Sequence, residues 1–241
     1  MRELSDKGEK MSVYTPHFAP LVVLAFLCTA GLLILCLLTV VIGALRKSRG
    51  LVLTGLALAA AATLIYGTVL LGFSLTSNDV ELPPGAWKYF CEIDCHIAYA
   101  VTNVQVLGSV GPEMQPIDTP GEFVIVRLKT WFDRSTISPH RGDAPLTPSM
   151  RKRSLLDGTG HPLYESPRSR AILTAAGLHS TPLDTPLRPG ESYVSNLVFE
   201  VPNKSKHLRL LITSAESLDA AVWGHETSPF HKKTYLLLPP A

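Results

Sequence analysis

The residues of this chain most suited to chemistry are concentrated in one short stretch, FCEIDCHI, at positions 90–97. Two cysteines four positions apart enclose two carboxylates, and a histidine follows at once: Cys91, Glu92, Asp94, Cys95 and His96. Such residues occur in structural disulfides, in metal centres and in redox-active thiol pairs. The choice depends on the compartment, because disulfides persist mainly outside the cytoplasm.

Two long apolar segments precede this stretch. Residues 20–45 and residues 51–75 contain no charged residue. Each is longer than the ~20 residues that a helix needs to cross a ~30 Å hydrocarbon core, and neither has a polar face. We therefore predict a transmembrane helical hairpin rather than two core helices or a cleaved signal peptide. The small residues Gly55, Ala59 and Ala62 could seat the first helix or a partner helix, and we expect packing within the hairpin.

The distribution of positive charge predicts the orientation of the hairpin. Arg46, Lys47 and Arg49 lie in the short loop 46–50, and positive charge in a short loop marks the cytoplasmic side. The tail 1–19 has mixed charge, and the Pro/Gly-containing linker 76–87 is acidic. We therefore expect both termini, and all residues after the second helix, to be extracytoplasmic.

Residues 88–241 have the pattern of short strands. Apolar and polar residues alternate in the segments HIAYAV, GEFVIVRLKTWF, NLVFEV and HLRLLI, and KTYLLL is expected to be the last strand. Turn sequences DGTG, RPGE and VPNK separate the segments. SRAILTAAGL is compatible with one short helix. We predict an all-β antiparallel sandwich.

The segment NLVFEV illustrates the predicted alternation. Leu197, Phe199 and Val201 share one face, which we assign to the core, while Glu200 lies on the other. Val198 also lies on the other face, so we expect it to contribute much less to stability than Phe199 does.

Three motifs resemble the telokin-like, immunoglobulin-type domain of bacterial lipoproteins and membrane-anchored surface proteins. They are the segment with Asp157, Gly160 and Tyr164, the LRPGE of residues 187–191, and the VFEVP of residues 198–202. The resemblance covers most of residues 98–213. It implies an immunoglobulin-like sandwich held outside a bacterial plasma (inner) membrane, and it supplies no catalytic residues.

An extracytoplasmic location makes a Cys91–Cys95 disulfide the leading interpretation of the cysteine pair. In an extended strand, residues four apart have Cα atoms about 13 Å apart. A disulfide needs roughly 4.4–6.8 Å. The bond therefore requires the chain to turn at residues 92–94.

Copper binding and thiol redox chemistry remain as alternatives. A membrane hairpin followed by an exported β-domain resembles cytochrome oxidase subunit II, whose dinuclear copper motif has two cysteines four apart with a glutamate between them. That motif continues with a histidine and a methionine, where this chain has Tyr99 and Thr102. The candidate copper ligands are two thiolates and one imidazole: Cys91 and Cys95 with His96, His161 or His207. A redox pair would lack the usual βαβ frame.

The polar insertion at residues 133–153 is the predicted recognition loop. Its binding candidates are the charged and imidazole side chains Arg134, His140, Arg141, Asp143, Arg151, Lys152 and Arg153. The basic run 151–153 is also compatible with anionic lipid headgroups. The RGD at residues 141–143 has the letters of an integrin ligand, but three-letter matches arise by chance.

The motifs and charge of the rest of the sequence favour a protein without an active site. No P-loop, GxSxG or HExxH motif occurs, and scattered basic residues with a net charge of +2 do not favour nucleic-acid binding. We therefore expect a non-enzymatic, cofactor-free recognition or assembly protein whose partners are the lipid bilayer and a membrane or envelope protein. The alternative is a copper-binding or thiol-redox accessory protein.

The positive loop generates a topology prediction. A reporter that is active only outside the cytoplasm should be active when fused after Ala241 and inactive when inserted at Ser48. An inactive Ala241 fusion together with an active Ser48 insertion would refute the predicted orientation.

Overall fold

The computed structural model describes residues 19–92, 95–111, 116–203 and 205–239. The chain divides into two compact units. One contains the two long helices, through Asn78, together with Glu216–Lys232. The other, Asp79–Ala215 with the chain from Lys233 onward, contains the strands.

The helical unit contains α1, Ala19–Leu45, and α2, Arg49–Leu75. Both are long and apolar enough to cross a membrane, as predicted from the uncharged segments. The helices approach closely at Gly55, where an added Cβ would lie 2.7 Å from a methyl carbon of Val40 and 3.0 Å from the carbonyl oxygen of Cys36. The expectation that Gly55 packs within the hairpin is confirmed.

The strand unit has two sheets, as predicted. The five-stranded sheet has the order β1-β9-β8-β5-β6, and the four-stranded sheet has the order β2-β3-β4-β7. The strands are β1 Val80–Leu82, β2 Lys88–Glu92, β3 Cys95–Val110, β4 Ile117–Phe132, β5 Arg151–Leu156, β6 Pro162–Tyr164, β7 Ser192–Val201, β8 Arg209–Ser214 and β9 Thr234–Leu237. The short helices are α3 Ser169–Ala175 and the 3-10 turns Arg134–Thr136 and Leu218–Ala221.

One strand differs from the antiparallel prediction. β1 pairs in parallel with β9, from Val80 opposite Thr234 to Leu82 opposite Leu236. β1 also lies inside the predicted linker 76–87. Three residues carry little sequence signal, and their pairing with a strand about 150 residues later depends on the tertiary fold.

The main core lies between the two sheets. It contains the residues that the alternating pattern assigned to the inward face of each strand, so those assignments are confirmed. Val124, Val126 and Leu128 of β4 are in it, as are Phe199 of β7 and Leu210 of β8. Because alternate residues of a strand point to opposite faces, the inward set follows from the sequence pattern.

A second core covers the outer face of the four-stranded sheet. Phe123, Ile125 and Val198 pack there against Ile172 and Leu173 of α3. Val198 is fully buried, so the premise of its predicted minor contribution, that only the face of Phe199 belongs to a core, is wrong. The alternation identified one buried face, but the helix that buries the other face comes from a different part of the chain.

Lys88 is a fully buried cation between the sheets. Its Nζ donates to the carbonyl oxygens of Ile212 on β8, at 2.6 Å, and Thr234 on β9, at 2.9 Å. The ammonium also lies 5.2 Å from the ring centre of Phe90. One side chain of the four-stranded sheet thereby satisfies carbonyl groups of the five-stranded sheet.

The second core predicts a large effect of a mutation in α3. Ile172→Ala should lower the free energy of unfolding by about 2–5 kcal/mol, because Ile172 is fully buried. Arg170→Ala, at an exposed position of the same helix, should change it by less than about 0.5 kcal/mol. Denaturant unfolding of both variants in detergent checks this; equal values would argue against α3 as the cover of the sheet.

Candidate functional site

The cysteine stretch forms the tip of the β2–β3 hairpin. The strands are antiparallel, with Glu92 opposite Cys95 and Cys91 opposite His96. The chain therefore reverses between Glu92 and Cys95, as a Cys91–Cys95 bond would require. Ile93, Asp94 and the Cys95 side chain lie outside the described structure.

Cys91 is accessible at this tip. Its thiol is exposed and lies 3.2 Å from the carbonyl oxygen of Glu92. Among the cysteines with described side chains, Cys28, Cys36 and Cys91, none is bonded to another. The register places His96, rather than Cys95, directly across the ladder from Cys91. The disulfide accordingly stays a prediction.

The imidazole of His96 is partly buried beside the same hairpin. Neither ring nitrogen has a hydrogen-bond partner among the described residues. The ring meets the edge of Tyr89, with ring centres 6.3 Å apart. Burial lowers the pKa of His96, and the charge of Asp133 opposes that shift. The neutral imidazole is therefore favoured near pH 7.

Asp133 is a buried carboxylate that the sequence pattern did not single out. It accepts hydrogen bonds from the Tyr89 hydroxyl at 3.2 Å, the Ser135 amide at 2.9 Å and the Ser135 hydroxyl at 2.7 Å. Burial, followed by the charge of Asp133, raises the pKa of Tyr89. Asp133 caps the 3-10 turn Arg134–Thr136 and fixes where the loop begins.

Among the candidate copper ligands with described side chains, only Cys91 and His96 come together, as opposite residues of the hairpin. No group of three or more His, Cys, Asp or Glu side chains is arranged to hold a metal ion among the described residues. His207 lines a cleft beside Val106. Val106 lies ten residues along β3 from His96, roughly 33 Å at the usual strand rise. His161 lies just before β6, and its carbonyl oxygen accepts a hydrogen bond from the backbone amide of Asp157, just after β5. The fold thus does not bring His207 to Cys91.

Arg151, predicted to be part of an exposed binding loop, is instead buried. Its guanidinium lies 2.6 Å from the Glu92 carboxylate, and the two side chains are only 4% and 10% exposed. Ser149 also donates to Glu92, through its amide at 3.2 Å and its hydroxyl at 2.6 Å. The guanidinium lies 4.3 Å from the ring centre of Phe90. This ion pair ties the hairpin tip to the start of β5, so Arg151 is not available to an external ligand.

The other loop candidates have mixed environments. Arg134 and Asp143 form an exposed ion pair at 2.9 Å. Arg141 donates to the carbonyl of Ala144 at 2.9 Å and lies over the ring of Phe132. Arg153 pairs with Glu165 at 3.3 Å. His140 and Lys152 are exposed. The accessible part of the predicted loop is therefore residues 134–145.

An open cleft of about 570 Å³ is a further candidate binding surface. Its walls come from β1, β3, β8 and β9 and from the loops containing Gly158 and His207. Val104, Val106 and Leu237 provide apolar surface, and the ion pair Arg209–Glu81, at 2.7 Å, lies at its edge. Sequence reasoning missed this cleft because its lining residues come from distant segments with no common motif.

Comparison with known proteins identifies no family for this chain. No family model and no curated protein sequence matches it. A conserved hypothetical protein from Bacillus anthracis is similar in structure, with 15% identity over 52% of this chain and 85% of that chain and a TM-score of 0.37. The secreted protein MPT63 from Mycobacterium tuberculosis is similar over 68% of this chain and 100% of its own, with 11% identity and a TM-score of 0.40. At these TM-scores neither similarity assigns a family, so the telokin-like assignment stays a prediction.

The two ion pairs of the loop predict contrasting mutational effects. Arg151→Ala leaves the Glu92 carboxylate buried without its cation and should cost about 3–5 kcal/mol of unfolding free energy. Arg134→Ala removes an exposed pair and should cost less than about 1 kcal/mol. Urea unfolding followed by tryptophan fluorescence measures both. Similar losses would contradict the assignment of Glu92–Arg151 as the structural pair.

Thiol labelling tests the predicted disulfide. In full-length protein with Cys28→Ala and Cys36→Ala, the oxidised chain should resist maleimide labelling until a reductant is added. Because Cys91 is exposed, it should label rapidly without reductant if the bond is absent. Mass spectrometry then distinguishes no adduct from one or two, and adducts before reduction would exclude the bond.

Proposed function

We propose that this chain is a non-enzymatic, membrane-anchored recognition or assembly protein of the bacterial plasma (inner) membrane. In this proposal α1 and α2 are a transmembrane anchor, and the two-sheet unit is an immunoglobulin-like domain displayed outside the cytoplasm. One observation carries the proposal: the apolar side chains of both helices face outward along their length. Leu37 and Leu64, for example, are 62% and 70% exposed.

A bilayer explains this exposure better than water does. Monomeric soluble proteins rarely expose an apolar surface of this extent, whereas hydrocarbon chains cover it without cost. The helix backbones satisfy their own hydrogen bonds, as a membrane interior requires. Thr29, Thr39 and Thr68 donate to the carbonyl four residues earlier, so these hydroxyls are satisfied within the helices as well. The basic residues Arg46 and Lys47 favour a cytoplasmic position for the hairpin loop.

The recognition role rests on how the exposed loop is held. Asp133 fixes its beginning, and the Glu92–Arg151 pair fixes the start of β5 after it. Loops on a rigid frame commonly carry binding function. The exposed residues 134–145, with the cleft near Val106, are the surfaces that we propose to contact a membrane or envelope protein.

The copper or thiol-redox alternative has one specific observation in its favour. Exposed Cys91 lies directly across the ladder from His96, whose ring nitrogens have no described hydrogen-bond partner. A thiolate and an imidazole are suitable copper ligands. Stoichiometric copper in the purified full-length protein, lost in Cys91→Ser and in His96→Phe, would favour this alternative over the recognition role.

Fractionation and site-specific crosslinking test the leading proposal. The full chain should remain in the membrane pellet after alkaline carbonate extraction. A photoreactive residue at His140 or Val106 should give a crosslink to one defined envelope protein in intact cells. The same residue at Arg170, exposed on α3, is the control and should give none. Extraction into the supernatant would refute anchoring, and absence of a product at both test positions would refute recognition through these surfaces.

A further inference from the structure

The connection between β8 and β9 belongs to the helical unit. Residues 216–232 pack with α1 and α2, although the strands on either side of them belong to the other unit. The hydroxyl of Tyr66, on α2, donates to the carbonyl of Ala221 at 2.6 Å. The amide of Lys232 donates to the hydroxyl of Ser77, just after α2, at 2.8 Å. The segment therefore runs beside the last part of α2.

An aromatic cluster reinforces the contact between Tyr66 and the segment. The ring centres of Tyr66 and Trp223 are 5.0 Å apart. The ring centres of Tyr66 and Phe26, on α1, are 6.5 Å apart. Contacts at these separations stabilise packing beyond the area that they bury. Trp223 is thus held against Tyr66, which lies nine residues before the end of α2.

Helix geometry gives the depth of this attachment in a membrane. Tyr66 is 17 residues from Arg49, about 25 Å at the rise of an α-helix. With Arg49 at the inner edge of a hydrocarbon core about 30 Å thick, Tyr66 lies just inside the outer edge. Tyrosine and tryptophan are enriched at this level of membrane proteins. The contact between Tyr66 and Trp223 therefore places part of the segment at the outer boundary.

The segment buries three of its polar residues and exposes two of its large apolar residues. His225, Glu226 and Ser228 are buried, whereas Leu218 and Phe230 are 71% and 73% exposed. Several polar groups are satisfied inside the segment: the Ser228 hydroxyl donates to the carbonyl of Val222 at 2.7 Å, and His225 bonds the hydroxyl of Thr227. Large apolar side chains that stay exposed in a segment with buried polar groups fit a surface that faces lipid.

The backbone at Phe230 supports the same conclusion. Its φ is +61°, a left-handed conformation that is unfavourable for a bulky residue. The chain adopts it while presenting the ring outward, where it is mostly exposed. Insertion of the ring among lipid headgroups and upper acyl chains would give this exposed side chain an apolar environment.

We propose that residues 216–232 form an interfacial segment seated in the outer leaflet, with Leu218 and Phe230 inserted at the boundary between headgroups and acyl chains and Trp223 stacked on Tyr66 at the same boundary. The inference rests on the proposed function, because it needs α1 and α2 to span the bilayer. It adds a second membrane-binding element, one that lies about 140 residues after the anchor in the sequence.

Depth-dependent quenching tests the proposal in full-length protein reconstituted into phosphatidylcholine–phosphatidylglycerol vesicles. All four natural cysteines are replaced, and an environment-sensitive dye is attached to Leu218→Cys or Phe230→Cys. Tyr164→Cys is the matched control, because Tyr164 on β6 is 73% exposed but belongs to the strand unit. Leu64→Cys, on α2 about 3 Å deeper than Tyr66 along the helix, is the reference for hydrocarbon just below the outer boundary. Lipid quenching at residue 64 and iodide quenching at residue 164 together show that the labelled variants are inserted and folded.

Dyes at residues 218 and 230 should be quenched by brominated lipids, and their quenching by aqueous iodide should be several-fold weaker than at residue 164. Iodide quenching at either position equal to that at residue 164, with residue 64 still quenched by lipid, overturns the interfacial segment and leaves the anchor intact. Iodide quenching at residue 64 as well overturns both the segment and the proposed anchoring.

Discussion

The ammonium group of Lys88 constrains how the two sheets of this protein pack. A buried cation is costly unless polar partners surround it, and Lys88 reaches carbonyl oxygens of both β8 and β9 from β2. Those partners exist only when the sheets face each other in one registration. The apolar layers around Phe90, Tyr99 and Leu210 supply the larger part of the stability, because hydrophobic contact is proportional to area. Apolar contact is not directional, whereas the Lys88 bonds are, so the lysine specifies which arrangement of the core is formed.

Two further ionic contacts extend this frame toward the surface. Glu92 and Arg151 join the tip of the β2–β3 hairpin to β5, and Arg168 and Glu200, 2.7 Å apart, join the start of α3 to β7. The hydrogen bond from Arg168 is the largest cause of the lowered pKa of Glu200. These contacts differ in burial and therefore in energetic weight, since water screens the Arg168–Glu200 pair more effectively. Together they account for charged residues that a pattern-based interpretation would assign to solvated loops.

In the helical unit, unlike the strand unit, most large apolar side chains are exposed. Its apolar side chains point outward along both helices, and the segment 216–232 likewise exposes Leu218 and Phe230 while His225, Glu226 and Ser228 are buried. A single physical cause explains both features if the surrounding medium is lipid: apolar groups then gain nothing by turning inward, while polar groups must find partners within the protein. The close approach at Gly55 is consistent with this, because packing between membrane helices depends on small residues rather than on hydrophobic contact.

The sequence by itself determined the two long helices, the strands around Val126, Phe199 and Leu210, and the inward face of each strand, because these depend on local periodicity and on the uncharged length of a segment. Tertiary structure decided the rest. Val198 is buried because α3 covers it, Arg151 is buried because Glu92 meets it from another sheet, and β1 is a strand because β9 pairs with it. The attachment of Trp223 to Tyr66 likewise joins residues more than 150 positions apart. Each of these contacts depends on which distant segments the fold brings together, and neither hydrophobic periodicity nor motif spacing encodes that proximity.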